Sequence, residues 1–490
     1  MTKPRTPRPA NQQEAVKTEK PRSPFARTSK PPVQPPKGRD RAPSPSPKTE
    51  PARPAAARPS IAKPAAPAPR PAQPAVPGAL GALINRRASD HLRAGHLWVY
   101  ASDIESIQLP KSSETDPPRL LPVADSRGLL LGTALYSPAS QIALRVVSRE
   151  SLSEQAWLDL LAARLRTSIH RRLLRIKGKD SKSDSCRLCF SEADELPGLI
   201  ADKYNNLVIL QLLSRGLDTP AVRETCVRVL REELAPDAIL ERPDAHMRVL
   251  EGLSVPDLSP LWAANPAQAI LSTQFHLNGL AFHYDAGAGQ KTGAFLDQAL
   301  NYSVAQQFAW LMAPGGRALD VCTYQGGFAL HLARVCKRVT GIDSSRASLT
   351  VAEQNLEANR NQISAEVDWV EGDAFQVLRD WSDAKETFDT IVLDPPAFAK
   401  TQRAVEGALR GYKELNLRAL KMLRPGGLLL TCSCSHHVGW TDLEATVSAA
   451  AVDAGRRVRL LARRGAAPDH PVLLNLPETE YLKCLVLEVE

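Results

Sequence analysis

The sequence predicts an α/β protein in which roughly the last two hundred residues form a Rossmann-like, doubly wound sheet, preceded by a small β-barrel and a small α+β region. Three observations predict it. Strand and helix patterns alternate from about residue 317 to the end, acidic residues stand at four consecutive strand ends, and residues 83–148 read as short strands broken by Gly, Pro and Asp.

The chain begins differently. Residues 1–77 hold sixteen Lys and Arg against four acids, and 21 of the 40 prolines. This segment therefore carries +12 of a net +9, leaving −3 for the rest. With almost no large apolar side chains it cannot offset its ordering entropy, which predicts a disordered basic tail. Such a polycation concentrates RNA by counterion release, or serves only as a solubilising tail. The eight cysteines are scattered through a long chain, unlike a secreted disulfide framework. No apolar run is long enough to span a membrane and the polar N-terminus lacks a signal-peptide core, so a cytoplasmic protein is expected.

The small barrel is read from Trp98-Val99-Tyr100, Leu120–Val123, Gly128–Gly132 and Gln141–Val147. A basic amphipathic helix follows over 153–178, with Trp157, Leu160, Leu161, Leu165, Ile169 and Leu173 at helical spacing. The α+β region, 185–285, carries strands at Leu207–Leu213 and Ala238–Leu240 around a helix near 218–233. Its Cys186-x-x-Cys189 pair invites a zinc reading, but a structural site needs four ligands and no second pair lies nearby. The doubly wound part runs as strand 317–322, helix 327–336, strand 338–343, helix 345–359, strand 366–371, helix 374–381 and strand 388–393. Helix 404–422, strand 428–432, helix 441–453 and strands 457–462 and 481–489 complete it. In such a sheet, ligands sit beyond the C-terminal ends of the strands.

The chemistry is expected at those ends. The first strand ends Asp320-Val321-Cys322-Thr323-Tyr324-Gln325-Gly326-Gly327. An acid at a strand end, followed by glycines opening a helix, lets the backbone approach a nucleoside closely. Tight turns need glycine anyway, so the set is what counts. Asp343 ends the second strand, where a carboxylate can accept both ribose hydroxyls. Asp373 follows the third, placed for an adenine amino group. Asp394-Pro395-Pro396-Ala397-Phe398 ends the fourth, a tip typical of methyltransferases rather than dehydrogenases. The fifth ends Thr431-Cys432-Ser433-Cys434-Ser435. Alternation puts both cysteines on one face with Cys434 nearer the tip, so Cys434 is the candidate nucleophile beside Asp394 and Cys432 the core residue. His436-His437 suggest a Cys-x-Cys-x-His-His metal cluster, but adjacent side chains diverge on a regular backbone, and no metal site is expected.

Ten stretches occur in order: Trp98-Val99-Tyr100, Tyr136–Ile142, Asp194-Glu195-Leu196-Pro197-Gly198, Lys291–Gln298, Tyr324–Phe328, Leu393–Phe398, Arg410–Lys413, Ser433-Cys434-Ser435, Asp469-His470-Pro471 and Tyr481-Leu482-Lys483. In these the chain, from about residue 83 to its end, resembles the bacterial 23S rRNA cytosine-C5 methyltransferase family. The resemblance implies a PUA-type RNA-binding barrel over 80–150, a linker helix and middle domain over 151–285, and a class I methyltransferase domain over 286–490. It implies S-adenosyl-L-methionine as the cofactor, ribosomal RNA (23S) as the partner, and Cys434 as nucleophile. It also implies that Lys291, Thr292, Phe295 and Gln298 help seat the methyl donor, with Asp320, Tyr324, Gly326, Asp343, Asp373 and Asp394. Ala299, Gln325 and His436 depart from the residues usual at those places, which bears on substrate placement rather than on the reaction class.

A thiolate at Cys434 would attack carbon 6 of cytosine and make carbon 5 nucleophilic, with Asp394 hydrogen-bonding the base's N3/N4 edge. His470 or a water would take the carbon 5 proton. The base must leave its stack, with Phe398 as an aromatic floor, and Arg86, Arg87, Arg93, Arg145 and the stretch from Arg171 to Lys182 would meet phosphates. Two rivals stand beside this reading. An exocyclic-nitrogen methyltransferase would use the Asp-Pro-Pro-x-Phe motif without a cysteine. A non-catalytic RNA-binding assembly protein would have lost its chemistry, against which the intact acids argue.

Overall fold

The computed structural model describes residues 80–109, 118–176, 182–255, 260–268, 270–287 and 293–490. The basic tail over 1–77, together with Lys291 and Thr292, lies outside the described residues.

The N-terminal sheet is built from β1 (Gly81–Ile84), β2 (Trp98–Tyr100), β3 (Ile104–Gln108), β4 (Leu120–Asp125), β5 (Leu130–Tyr136) and β6 (Ile142–Ser148). Helix α1 (Arg86–Arg93) is inserted after β1, and Asn85 caps it by accepting from the Ala88 amide. The strand order is β2-β6-β5-β4-β1-β3, and the end strands pair with β6 and β1 rather than with each other. The small barrel expected from the sequence is, among the described residues, a single six-stranded sheet. The three residues of β2 are spent on β6, and a tight turn over Ala101–Asp103 then redirects the chain into β3.

Helix α2 (Glu154–Ile176) leads into β7 (Cys186–Phe190), β8 (Leu199–Tyr204), β9 (Leu207–Leu212), α3 (Pro220–Leu234), β10 (Ala238–Glu241), α4 (Ala245–Leu250) and β11 (Pro260–Ala263). These strands form a five-stranded sheet in the order β11-β10-β9-β8-β7. Both its faces are covered. On one, Trp157, Leu161, Leu165 and Ile169 of α2 and Val229 of α3 pack on Leu188, Ala201, Val208 and Leu210. On the other, Tyr204, Leu207 and Ile209 join a core shared with the hairpin β12 (Ser272–Leu277) and β13 (Leu280–Asp285) and with the C-terminal sheet. Cys186 and Cys189 sit inside this packing, where burial pushes both thiols well above their usual range.

The C-terminal sheet begins after α5 (Ala299–Met312). It alternates β14 (Arg317–Val321), α6 (Gly327–Leu332), β15 (Arg338–Asp343), α7 (Arg346–Ala358), β16 (Glu366–Glu371), α8 (Ala374–Asp383) and β17 (Phe388–Leu393). It continues α9 (Val405–Met422), β18 (Leu423–Ser433), α10 (Trp440–Ala454), β19 (Val458–Arg464) and β20 (Lys483–Val489). The order is β16-β15-β14-β17-β18-β20-β19, with β20 antiparallel to both neighbours. The order reverses between β14 and β17, the place where a doubly wound sheet opens a crevice for a ligand. Among the described residues no helix is long and apolar enough to cross a membrane.

Buried ion pairs tie these sheets together. Arg145, 6% exposed, donates to Glu251 at 3.0 Å, and Glu251 also accepts the Arg215 amide at 2.9 Å. Arg145 further donates to the Ile142 carbonyl. The phosphate contact expected of Arg145 is therefore corrected: its guanidinium is buried and spent on Glu251, which clamps the N-terminal sheet to the middle one. Arg86, Arg87 and Arg93 are expected cations that remain exposed on that sheet's flank, Arg93 in ion pairs with Asp90 and Asp125.

Candidate active site

Five loops meet beyond the ends of β14 to β18. The first turns sharply: Cys322, Tyr324 and Gly326 all have positive φ (62°, 52° and 86°). Asp320 holds this turn from below. Its Oδ2 accepts the Thr323 hydroxyl at 2.5 Å and the Ala329 amide at 2.9 Å. A β-carbon at Gly326 would stand 3.0 Å from the Trp369 ring, so only glycine lets the backbone lie flat there.

Asp343, at the end of β15, accepts the Tyr324 amide on Oδ2 and the Ser345 amide on Oδ1, both at 2.9 Å. Those bonds aim the half-buried carboxylate into the crevice and leave each oxygen a further lone pair. Asp373 is different: it is exposed, and its Oδ1 caps α8 by accepting the Gln376 amide at 3.0 Å. Tyr324 donates to the Gly293 carbonyl at 2.8 Å and meets the Phe295 ring edge-on at 5.0 Å. Gln298, buried, donates to Asp394 Oδ1 at 2.9 Å and accepts from Asn301 at 2.6 Å. The segment 293–298 thus closes over the turn after β14 and fixes the carboxylate after β17.

Cys434 stands just past β18, half-buried, with Sγ 3.8 Å from the Pro395 carbonyl in the Asp394-Pro395-Pro396 loop. Its turn is bound tightly on both sides. The Tyr412 hydroxyl lies 3.0 Å from both Ser433 Oγ and Ser435 Oγ, and Ser435 Oγ accepts the Ala399 amide at 3.1 Å. Lys483 donates to the Ser435 and Tyr481 carbonyls, each at 2.8 Å. Cys432 is buried in the core, where hydrogen bonding to Cys484 and burial push its thiol well above the usual range. His436 and His437 are exposed, with His436 against the Tyr481 ring at 5.7 Å.

Residues 194–472 match the family described as S-adenosylmethionine-dependent methyltransferase, and residues 83–149 match a PUA-like domain. The chain belongs to the S-adenosylmethionine-dependent methyltransferases. Ribosomal RNA large subunit methyltransferase I of Pseudoalteromonas translucida is 35% identical over 402 residues, spanning 81% of this chain and 96% of the relative. The protein of the same name from Erwinia tasmaniensis is 35% identical over 389 residues, 79% of this chain and 94% of its own. Among solved structures, that of SMU.776 complexed with SAH superposes with a TM-score of 0.69 at 18% identity, over 84% of this chain and all of that one. At that identity the likeness concerns the fold.

The remaining expected residues of this methyltransferase fall in two places. Phe398 is half-buried between the rings of Tyr412 (4.9 Å) and Phe375 (5.8 Å), one edge of the Asp394 loop. His470 is buried with Nδ1 2.9 Å from Asp469 Oδ1 and its ring 5.2 Å from Phe190. Phe190 in turn lies 6.1 Å from Tyr481, so two rings separate His470 from His436. Sequence reasoning gave no role to Tyr412, Lys483, Ser433 or Ser435, although all four lie in the stretches Arg410–Lys413, Ser433–Ser435 and Tyr481–Lys483 that carry the resemblance.

Asp320 makes one pH-dependent prediction. Burial pushes its carboxyl up to about 7, against the hydrogen bonds from Thr323 and Ala329 that lower it. The folded chain therefore holds this proton more tightly than the unfolded chain. The group's stabilising contribution is full below about pH 4 and is lost as pH rises through about 7. Asp320→Asn removes the titration. Urea denaturation is expected to show the wild type losing stability relative to this variant across that window; a difference independent of pH would contradict the assignment.

Proposed function

We propose that this chain methylates carbon 5 of a cytosine in large-subunit (23S) ribosomal RNA, using Cys434 as the nucleophile. The observation that carries the reading is the half-buried thiol of Cys434, 3.8 Å from the Pro395 carbonyl and so at the lip of the loop that bears Asp394. A methyltransferase acting on an exocyclic nitrogen needs no thiol at this position, and the bonds around Ser433 and Ser435 are suited to fixing one. The names of the relatives support ribosomal RNA as the acceptor.

The residues fit a nucleoside donor. Gly326 offers bare backbone, Asp343 offers carboxylate lone pairs for the ribose, and Tyr324 with Phe295 and Gln298 walls the crevice. Lys291 and Thr292 are assigned here from the resemblance, and Asp373 would serve through the oxygen not engaged in capping α8. Bound S-adenosyl-L-methionine supplies an electrophilic methyl group. The chain's own part is to make carbon 5 able to take it. The Cys434 thiolate adds to carbon 6 of the base, and electron density moves to carbon 5. Asp394, held by Gln298, accepts from the N3/N4 edge and stabilises the protonated ring. Loss of the carbon 5 proton to water and breakage of the carbon–sulfur bond then restore the aromatic base and the thiolate. Phe398 supports the flipped base.

The division of labour follows the sheets: residues 80–150 capture RNA, with Arg86 and Arg87 toward phosphates, 151–285 form a middle domain, and 286–490 perform the transfer in the cytoplasm, where ribosomes are assembled. Mass-spectrometric mapping of ribosomal RNA from a strain lacking the gene tests the proposal. One 5-methylcytosine of the large-subunit RNA is expected to disappear and to return with the wild-type gene. Loss of a nitrogen-methylated base instead would transfer the assignment to that chemistry.

A further inference from the structure

Lys483 opens β20, with Ser433 of β18 as its register partner, so its side chain reaches the turn that carries Cys434. It is 3% exposed. Burying an ammonium is costly unless an opposite charge or a full set of acceptors compensates it. Three buried arginines follow this rule with carboxylates: Arg145 with Glu251, Arg172 with Asp194, Arg248 with Asp218. The hydrogen bonds of Lys483 go instead to two carbonyl oxygens, those of Ser435 and Tyr481. They use two of the three ammonium donors, and the Ser435 carbonyl belongs to the residue next to the sulfur. Burial pulls this ammonium below the usual lysine range, and Cys434, followed by Glu480 and Asp442, pulls it back up. From the opposite side the turn faces the Tyr412 hydroxyl, a neutral group held by Ser433 and Ser435.

We propose that Lys483 is the positioning residue that keeps Cys434 as a thiolate, pinning its turn through the Ser435 carbonyl and supplying a positive charge beside the sulfur. The inference rests on the reading of Cys434 as the nucleophile. The thiol proton goes to water as the thiolate forms. The sulfur's electron pair makes the bond to carbon 6 and returns to sulfur when that bond breaks. Lys483 stays an ammonium throughout. No bond to it forms or breaks, and its contribution is electrostatic.

The test is the pH dependence of Cys434 alkylation by iodoacetamide, read at that cysteine by peptide mass spectrometry on the full-length protein. Wild type, Lys483→Met and Lys483→Arg are compared, with binding of S-adenosylmethionine by calorimetry as the check on folding. The methionine variant is expected to raise the alkylation midpoint by about 1 pH unit or more, and the arginine variant to keep most of the wild-type midpoint. Methyl transfer by Lys483→Met near neutral pH should fall about tenfold for each unit of that rise, and recover as the pH is raised. An unchanged midpoint in a methionine variant that still binds the donor would overturn the proposal. If that variant does not fold, the wild-type midpoint decides: a value below about 8.5 supports the role and one at or above it overturns it. Failure of the nucleophile reading is recognised separately, because Cys434→Ala would then retain methyl transfer whatever Lys483 does to the sulfur.

Discussion

Cys434→Ala is expected to lower methyl transfer by at least roughly a thousandfold while leaving cofactor binding intact, because it removes the one group that the covalent route cannot replace. The cofactor crevice is built on other strand ends. Asp343 is oriented by the Tyr324 and Ser345 amides, and the Gly326 turn is held by Asp320. The turn itself keeps its bonds from Tyr412, Ala399 and Lys483, which involve Ser433, Ser435 and their backbone rather than the sulfur. Transfer of a labelled methyl group to unmodified large-subunit ribosomal RNA, with calorimetry of donor binding alongside, measures both parts. Near-normal transfer by the variant would move the chemistry to an exocyclic nitrogen accepted by Asp394.

Asp194→Ala is expected to be the most destabilising single change away from the crevice, costing about 3–5 kcal/mol. The Arg172 guanidinium grips the two Asp194 oxygens at 2.5 and 2.7 Å, both side chains are almost fully buried, and Asp194 Oδ2 also accepts the Phe190 amide at 2.7 Å. Arg172 further donates to the Asp469 carbonyl at 3.0 Å. The Arg172–Asp194 pair therefore joins α2, the turn between β7 and β8, and the segment that carries His470. Removing the carboxylate leaves a buried guanidinium without its counter-charge. Urea unfolding should show the loss, and Asp194→Leu combined with Arg172→Met should recover most of it. The exposed pair Arg346–Glu353 is the control, since breaking it is expected to cost no more than about 1 kcal/mol.

The two predictions draw on features that the sequence discloses very unequally. Strands β15, β16 and β17 fall where the alternating pattern puts them, residue for residue, because each lies between a helix end and an acidic or glycine turn. Asp343 and Asp394 could be named in advance for the same reason: a strand end is a local feature. The hairpin β12–β13 was not named, yet its Asn278-Gly279 turn, both residues at positive φ, is a strong local hairpin signal between the two strands. Helix α5 is obscured by apolar residues around its whole circumference, with Leu300, Trp310 and Leu311 exposed and Ala305 and Ala309 buried. Asp373 also had a second local signal, a gap of three residues to Gln376 that marks a helix cap. Arg145 could not be placed from sequence, because Glu251, its counter-charge, lies 106 residues away. Lys483 is the same case at 48 residues: only the folded chain brings it to Ser435 and hence to Cys434.

The central claim is a covalent bond between Cys434 and carbon 6 of a cytosine, and the direct measurement is trapping on RNA that carries 5-fluorocytidine at the target position. Fluorine cannot leave carbon 5 as a proton does, so the enzyme should remain attached after methyl transfer. The wild-type protein with S-adenosylmethionine is expected to give a complex stable to denaturation, with the modified peptide mapped to Ser433-Cys434-Ser435, and Cys434→Ala is expected to give none. A wild-type enzyme that methylates normal RNA but forms no such adduct, or an adduct mapped to another cysteine, would contradict the account.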